Sequence, residues 1–253
     1  MAVVERSAWR RGYARLLLLS LFLLGAASAS ADDFALPKAT VDGLKELKLQ
    51  VSQYHVVHAK PGSEVALLDP RGHPLGVTLS RNDFCSAALQ GTVEVSGVLY
   101  SVAGKGKKSL VNCALPRYAC PRCAAFNLGQ NRFVKTMSAD GLGAKDFGLV
   151  PYRTIAVKQG GFNFGTVIYV PSARGLKLPN GKKHDGYFFV ADIGAMRASQ
   201  IDLYTGTKRL GWKILGSGTA RSRSVKAYVV TDPAVIKPLK AAHVASAKAA
   251  AAE

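Results

Sequence analysis

Between Glu94 and Glu253 the sequence contains no glutamate at all. Acid chemistry in the C-terminal half must therefore fall to Asp140, Asp146, Asp185, Asp192, Asp202 or Asp232. Acidic residues are scarce overall, 16 against 34 lysines and arginines, for a net charge of +18. There is no G-x-S-x-G elbow, no phosphate-binding Walker loop and no H-E-x-x-H, which removes support for the serine-hydrolase, nucleotide-binding and zinc-protease classes. His55-x-x-His58 is a poor metal pair, because a spacing of three on a strand sends the two rings to opposite faces. No cofactor or metal is called for. After the first 31 residues no apolar run is long enough to cross a bilayer, and no internal repeat is visible.

Those first residues have the form of an export signal. Arg6, Arg10, Arg11 and Arg15 precede the apolar run Leu16–Ala26, and Ala29-Ser30-Ala31 offers a cleavage site before Asp32. No cysteine follows the run to take a lipid anchor. The expected product is a periplasmic or secreted chain of about 220 residues, with no stable membrane insertion, carrying about +15. Such a field favours anionic partners. Cell-wall polymers fit an exported protein better than nucleic acid, and no basic strip alternates with aromatics as single-strand binding would need. The four cysteines, Cys85, Cys113, Cys120 and Cys123, suggest two disulfides in an oxidising compartment, with three pairings open.

The hydropathy pattern is mainly that of short strands punctuated by glycine. Residues 50–57, 153–157, 166–170, 187–191, 201–204 and 225–230 read as strands. Residues 91–102 read as two strands turning near Ser96-Gly97. Ser80 or Asn82 is placed to cap a short helix over 84–89. The region from Asn112 to Asp146 reads as a cysteine-stapled loop, and the Ala- and Lys-rich end, 232–253, as a flexible tail without an apolar stripe. Many short strands argue for a small barrel or sandwich.

Within this pattern Asp192 and Asp202 stand at the edges of apolar strands, where low dielectric raises a carboxyl pKa toward that of a proton donor. Strand alternation puts Asp192 on one face with Val190 and Phe188, and Asp202 on one face with Tyr204. Asp185 sits in a polar His-Asp-Gly loop. Tyr204, Tyr187 and Trp212 are candidates to stack on sugar rings, and Arg153, Lys158 and Arg197 to meet carboxylates of a substrate.

The segments 153–157 (RTIAV), 164–171 (FGTVIYVP), 184–186 (HDG), 191–194 (ADIG) and 201–204 (IDLY) together resemble the three-aspartate (3D) domain family, which is related to membrane-bound lytic murein transglycosylase A. The resemblance covers residues 148–231, with a weaker echo at 83–93. It departs from the family at Lys158-Gln159, where Asp-Pro is frequent, and at 194–200, a loop shorter and poorer in glycine. It implies a six-stranded double-psi β-barrel over 148–231, with residues 32–147 as an N-terminal region able to contribute the first barrel strands. It also implies a lytic transglycosylase-like enzyme, acting as a monomer on peptidoglycan glycan strands. Asp192 would be the general acid and base at the N-acetylmuramic acid–N-acetylglucosamine bond, Asp202 would hold a hydrogen-bond network or stabilise positive charge developing on the sugar ring, and Asp185 would stand in for a missing third aspartate. The alternative is a wall-binding protein that keeps the fold without the chemistry.

Overall fold

The computed structural model describes residues 34–114, 126–138, 140–145, 147–194, 196–206 and 224–251. The leader, Cys120, Cys123, Asp146 and Trp212 lie outside these residues.

In chain order the elements are β1 (Leu47–Tyr54), β2 (Val57–Ala59), β3 (Val65–Leu68), β4 (Pro74–Leu79), α1 (Arg81–Gln90), β5 (Thr92–Val95), β6 (Val98–Lys105), β7 (Asn131–Thr136), β8 (Thr154–Lys158), β9 (Val167–Tyr169), β10 (Tyr187–Gly194), β11 (Gln200–Tyr204), β12 (Ser224–Val230) and α2 (Pro233–Ala251). The architecture is mainly β. Six strands close a barrel in the order β1-β11-β8-β10-β9-β12, sealed by the antiparallel pairing of β12 with β1. Two of its ladders, β1/β11 and β8/β10, are parallel. Alternate residues fill the interior: Ile155 and Val157, Phe188 and Val190, Ile201 and Leu203, Val225 and Ala227. This is the period-2 pattern that made these segments legible as strands.

Everything from β2 to β7 is inserted between the first barrel strand and the second. The insert forms a lobe with a four-stranded sheet, β2-β5-β6-β7, a β3-β4 hairpin and α1. Ser80 caps α1 by accepting the Asp83 N–H, and Gly91 ends it in the left-handed region. The β5-β6 turn has Ser96 and Gly97 both at positive φ, the pair of conformations that suits the twist of a two-residue hairpin. Phe84 meets Phe133 edge-on in the lobe core, where Cys85 and Cys113 form a disulfide.

Two expectations fail here. The stretch read as a cysteine-stapled loop contains β7, whose Phe133 is fully buried. The end read as a flexible tail is α2. Val235, Leu239 and His243, spaced by four, make the stripe that packs on the outer face of β9 and β10, and the His243 ring stacks on Phe189 at 4.2 Å. A histidine in the third position hid the stripe. No helix among the described residues is long and apolar enough to cross a membrane.

Candidate active-site groove

A groove of about 570 Å³ runs between barrel and lobe. The barrel contributes Tyr54, Ala156, Lys158, Gln159, Asp192, Ile193, Met196 and Asp202. The lobe contributes Leu89, Gln90, Lys105, Phe126, Leu128 and Asn131. Asp192 and Asp202 lie on its barrel side, one on each flank of the same residue. Asp192 is in register with Ala156 across the parallel β10-β8 ladder, and Asp202 with Ala156 across the antiparallel β11-β8 ladder. Two ladder spacings separate their backbones by about 9–10 Å.

Simple alternation would have sent Asp192 into the barrel with Val190 and Phe188. A β-bulge prevents this. Val190 pairs with Ile155, but the next partner of β8, Ala156, pairs with Asp192, so Ala191 is the extra residue. The bulge reverses the parity of the strand and turns Asp192 outward to the groove. Ala191 is held from the linker that returns from the lobe: the Ala144 N–H donates to its carbonyl at 2.8 Å. Gly143 lies so close that a Cβ there would stand 2.4 Å from that oxygen. Asp202 needs no such device. It shares the outward face with Tyr204 while Ile201 and Leu203 point inward, as alternation requires.

Both aspartates line the groove and are partly buried. Asp192 Oδ1 accepts the Ile193 N–H at 2.8 Å, and Oδ2 accepts the Tyr54 hydroxyl at 2.9 Å. Burial pushes the Asp192 carboxyl up to about 7. The Ile193 N–H and Tyr54 hydroxyl oppose the rise, and the charge of Asp202 adds to it. Burial likewise lifts Asp202 to about 6 against a hydrogen bond from Ser52. Asp202 Oδ1 is buried without a hydrogen-bond partner among the described residues. The arrangement therefore offers, near neutral pH, a proton donor and an anion facing one groove.

Solved structures resemble the chain distantly. Escherichia coli MltA with bound chitohexaose is 15% identical, with 73% of this chain and 71% of that chain covered and a TM-score of 0.48. A membrane-bound lytic murein transglycosylase from Agrobacterium tumefaciens is 14% identical, covering 76% and 78%, at 0.44. The lytic transglycosylase LtgG of Burkholderia pseudomallei is 18% identical, covering 73% of each chain, at 0.34. No family model matches the chain, and no curated protein does. At these scores the groove has to be read from its own residues.

The other expected site residues lie elsewhere. Asp185 is buried, clasped by Arg153 through two guanidinium nitrogens at 2.5 and 2.7 Å, and also accepts the N–H groups of Leu36 and Tyr187. Arg153 donates to the Tyr187 carbonyl and lies under the Phe34 ring, 4.1 Å from its centroid. Tyr187 gives its hydroxyl to the Pro37 carbonyl. Arg153, Asp185 and Tyr187 are at most 3% exposed and are not among the groove-lining residues, so the structure places them in a buried ion-pair cluster and not at the groove. Tyr204 is also fully buried. Its ring packs on Tyr54 at 5.2 Å and its hydroxyl donates to the Asp140 carbonyl, so it underlies the groove instead of stacking on a ligand. Lys158 lines the groove, whereas Arg197 is exposed outside it. Sequence reasoning missed Tyr54 and Ser52 on β1, although Gln50-Val51-Ser52-Gln53-Tyr54 carried the alternation that puts both hydroxyls on one face.

Proposed function

We propose that this protein is an exported lytic transglycosylase-like enzyme that cleaves the β-1,4 bond between N-acetylmuramic acid and N-acetylglucosamine in peptidoglycan. The reading is carried by one observation: on one wall of a groove, a carboxyl whose burial holds its proton up to about 7 stands two ladder spacings from a second carboxylate, whose Oδ1 is buried without a hydrogen-bond partner among the described residues. Asp192 gives its proton to the bridging oxygen as the bond to the anomeric carbon breaks. Asp202, as the anion, stabilises the positive charge that develops on the muramyl ring. The muramyl 6-hydroxyl then attacks the anomeric carbon, and its proton returns to Asp192. The product is a 1,6-anhydro sugar, no water is consumed, and the acid is regenerated. Only one carboxyl handles protons, unlike the pair of a hydrolytic glycosidase.

The surroundings suit this substrate. Lys158 on the barrel and Lys105 on the lobe place positive charge at the groove, suited to the carboxylates of peptide-substituted glycan. The Cys85–Cys113 disulfide suits an oxidising compartment and, with the basic, apolar leader, supports export. The test is digestion of purified sacculi with mass-spectrometric detection of the products. Wild type should release 1,6-anhydro-muropeptides, and Asp192→Asn should not. Sedimentation with sacculi by both proteins, with no product from either, would instead identify a wall-binding module.

A further inference from the structure

Strand β1 stands next to β11 in the closed barrel and is far from both aspartates in sequence. Ser52 is in register with Asp202 and Tyr54 with Tyr204. Residues 52 and 54 share one face of the strand. Tyr54 gives its hydroxyl to Asp192 Oδ2 at 2.9 Å, and Ser52 stands beside Asp202 across the parallel ladder, where it favours the carboxylate. Ser52 Oγ accepts the Gln200 side-chain N–H at 2.8 Å, which leaves its own proton for Asp202. The Tyr54 ring is buried against Tyr204, itself anchored on the Asp140 carbonyl.

We propose that Ser52 and Tyr54 are positioning residues that divide the work between the two carboxylates, Tyr54 aiming Asp192 as the proton donor and Ser52 holding Asp202 as the anion. This rests on the transglycosylase-like reading of the groove. Tyr54 stays protonated and can donate to Asp192. Burial first, and then the charge of Asp192, raise its hydroxyl well above the usual tyrosine range, so it never becomes a competing base. Its bond fixes one oxygen of Asp192 while the Ile193 N–H fixes the other, which sets the plane of the carboxyl toward the groove. Ser52 favours the charged form of Asp202, and that charge in turn helps Asp192 keep its proton. The other titratable groups of this face are Tyr204, behind Tyr54, and Lys158 and Lys105 in the groove walls.

Each hydroxyl should therefore govern one limb of a bell-shaped pH profile. Asp202 must be ionised, which sets the acid limb, and Asp192 must be protonated, which sets the alkaline limb. Two measurements are made on the whole protein: the pH dependence of anhydro-muropeptide release, and carboxyl carbon NMR titration of 13C-aspartate-labelled protein. Tyr54→Phe keeps the ring in place. It should move the Asp192 titration and the alkaline limb up by about half to one pH unit, widening the bell. Ser52→Ala should move the Asp202 titration and the acid limb up by a similar amount, narrowing it, and Ser52→Thr, which keeps the hydroxyl, should restore the limb. A loss of amplitude with both limbs and both titrations unmoved would overturn the proposal, because a merely structural role predicts that result. The two readings fail separately. If the NMR titrations move as stated but wild type releases no anhydro product, the hydroxyls tune the pair and the cleavage reading falls. If wild type cleaves and the limbs stay fixed, the tuning falls alone.

Discussion

The barrel holds carboxylates in two unlike settings. Asp185 is sealed among Arg153 and two backbone N–H groups, with both oxygens engaged. Asp192 and Asp202 line the groove, meet no cation in a comparable clasp among the described residues, and are raised to about 7 and 6 by burial. Burial alone does not decide the state of a buried aspartate. The partner does: a guanidinium neutralises the first, while the other two are met by hydroxyl and amide donors too weak to offset desolvation.

The sharpest way to break this contrast is to remove one member of each setting. Asp192→Asn should lower anhydro-muropeptide release by about 10²–10⁴-fold, the usual share of a general acid, and leave the fold intact by circular dichroism. Asp185→Ala should do the reverse. It strands the buried Arg153 charge, and chemical unfolding should show a loss of about 3–5 kcal/mol; replacing both partners by leucine should recover much of it. Gly143→Ala sharpens the comparison from the backbone side. Its methyl would meet the Ala191 carbonyl, so it should loosen the bulge that aims Asp192, with activity falling more than stability. The smallest effect is on the pH dependence of stability. The folded state holds the Asp192 proton up to about 7, where an unfolded chain releases it near 4. This contribution is complete below pH 4 and lost as pH rises to 7. Allowing for the open side of the groove, Asp192→Asn should be more stable than wild type by about 2 kcal/mol at pH 8, with little difference at pH 4. His184 and His243 work in the other direction. Burial holds both near 4, so their contribution is present above pH 6.5 and lost on acidification toward 4. Thermal melts of both proteins across pH 4 to 8 separate the two trends.

The barrel was largely legible because its strands bury one face, and burying one face writes a period of two into the sequence. The edges of that rule mark what was not legible. The bulge at Ala191 leaves no compositional trace, so alternation assigned Asp192 to the wrong face. Arg153 reads as a surface charge until its partner, many residues away, is brought against it by closure of the barrel. Tyr54 reads as an ordinary strand aromatic, and only its position across the groove face from Asp192 gives its hydroxyl a use. The lobe strand β7 was hidden among glycines and cysteines, and its membership in the sheet comes from pairing with β6. Local pattern reveals an element, but long-range pairing decides what its side chains meet.

The seam of the barrel joins its earliest strand to its latest: Leu47 of β1 pairs with Ala227 of β12. The whole lobe is synthesised between β1 and the first of its barrel neighbours. β1 therefore waits, unpaired, until nearly the entire chain has emerged. High contact order of this kind slows folding and keeps the strand edges open meanwhile. The same delay withholds both hydroxyls of β1 from the aspartates until the last strand has closed the ring.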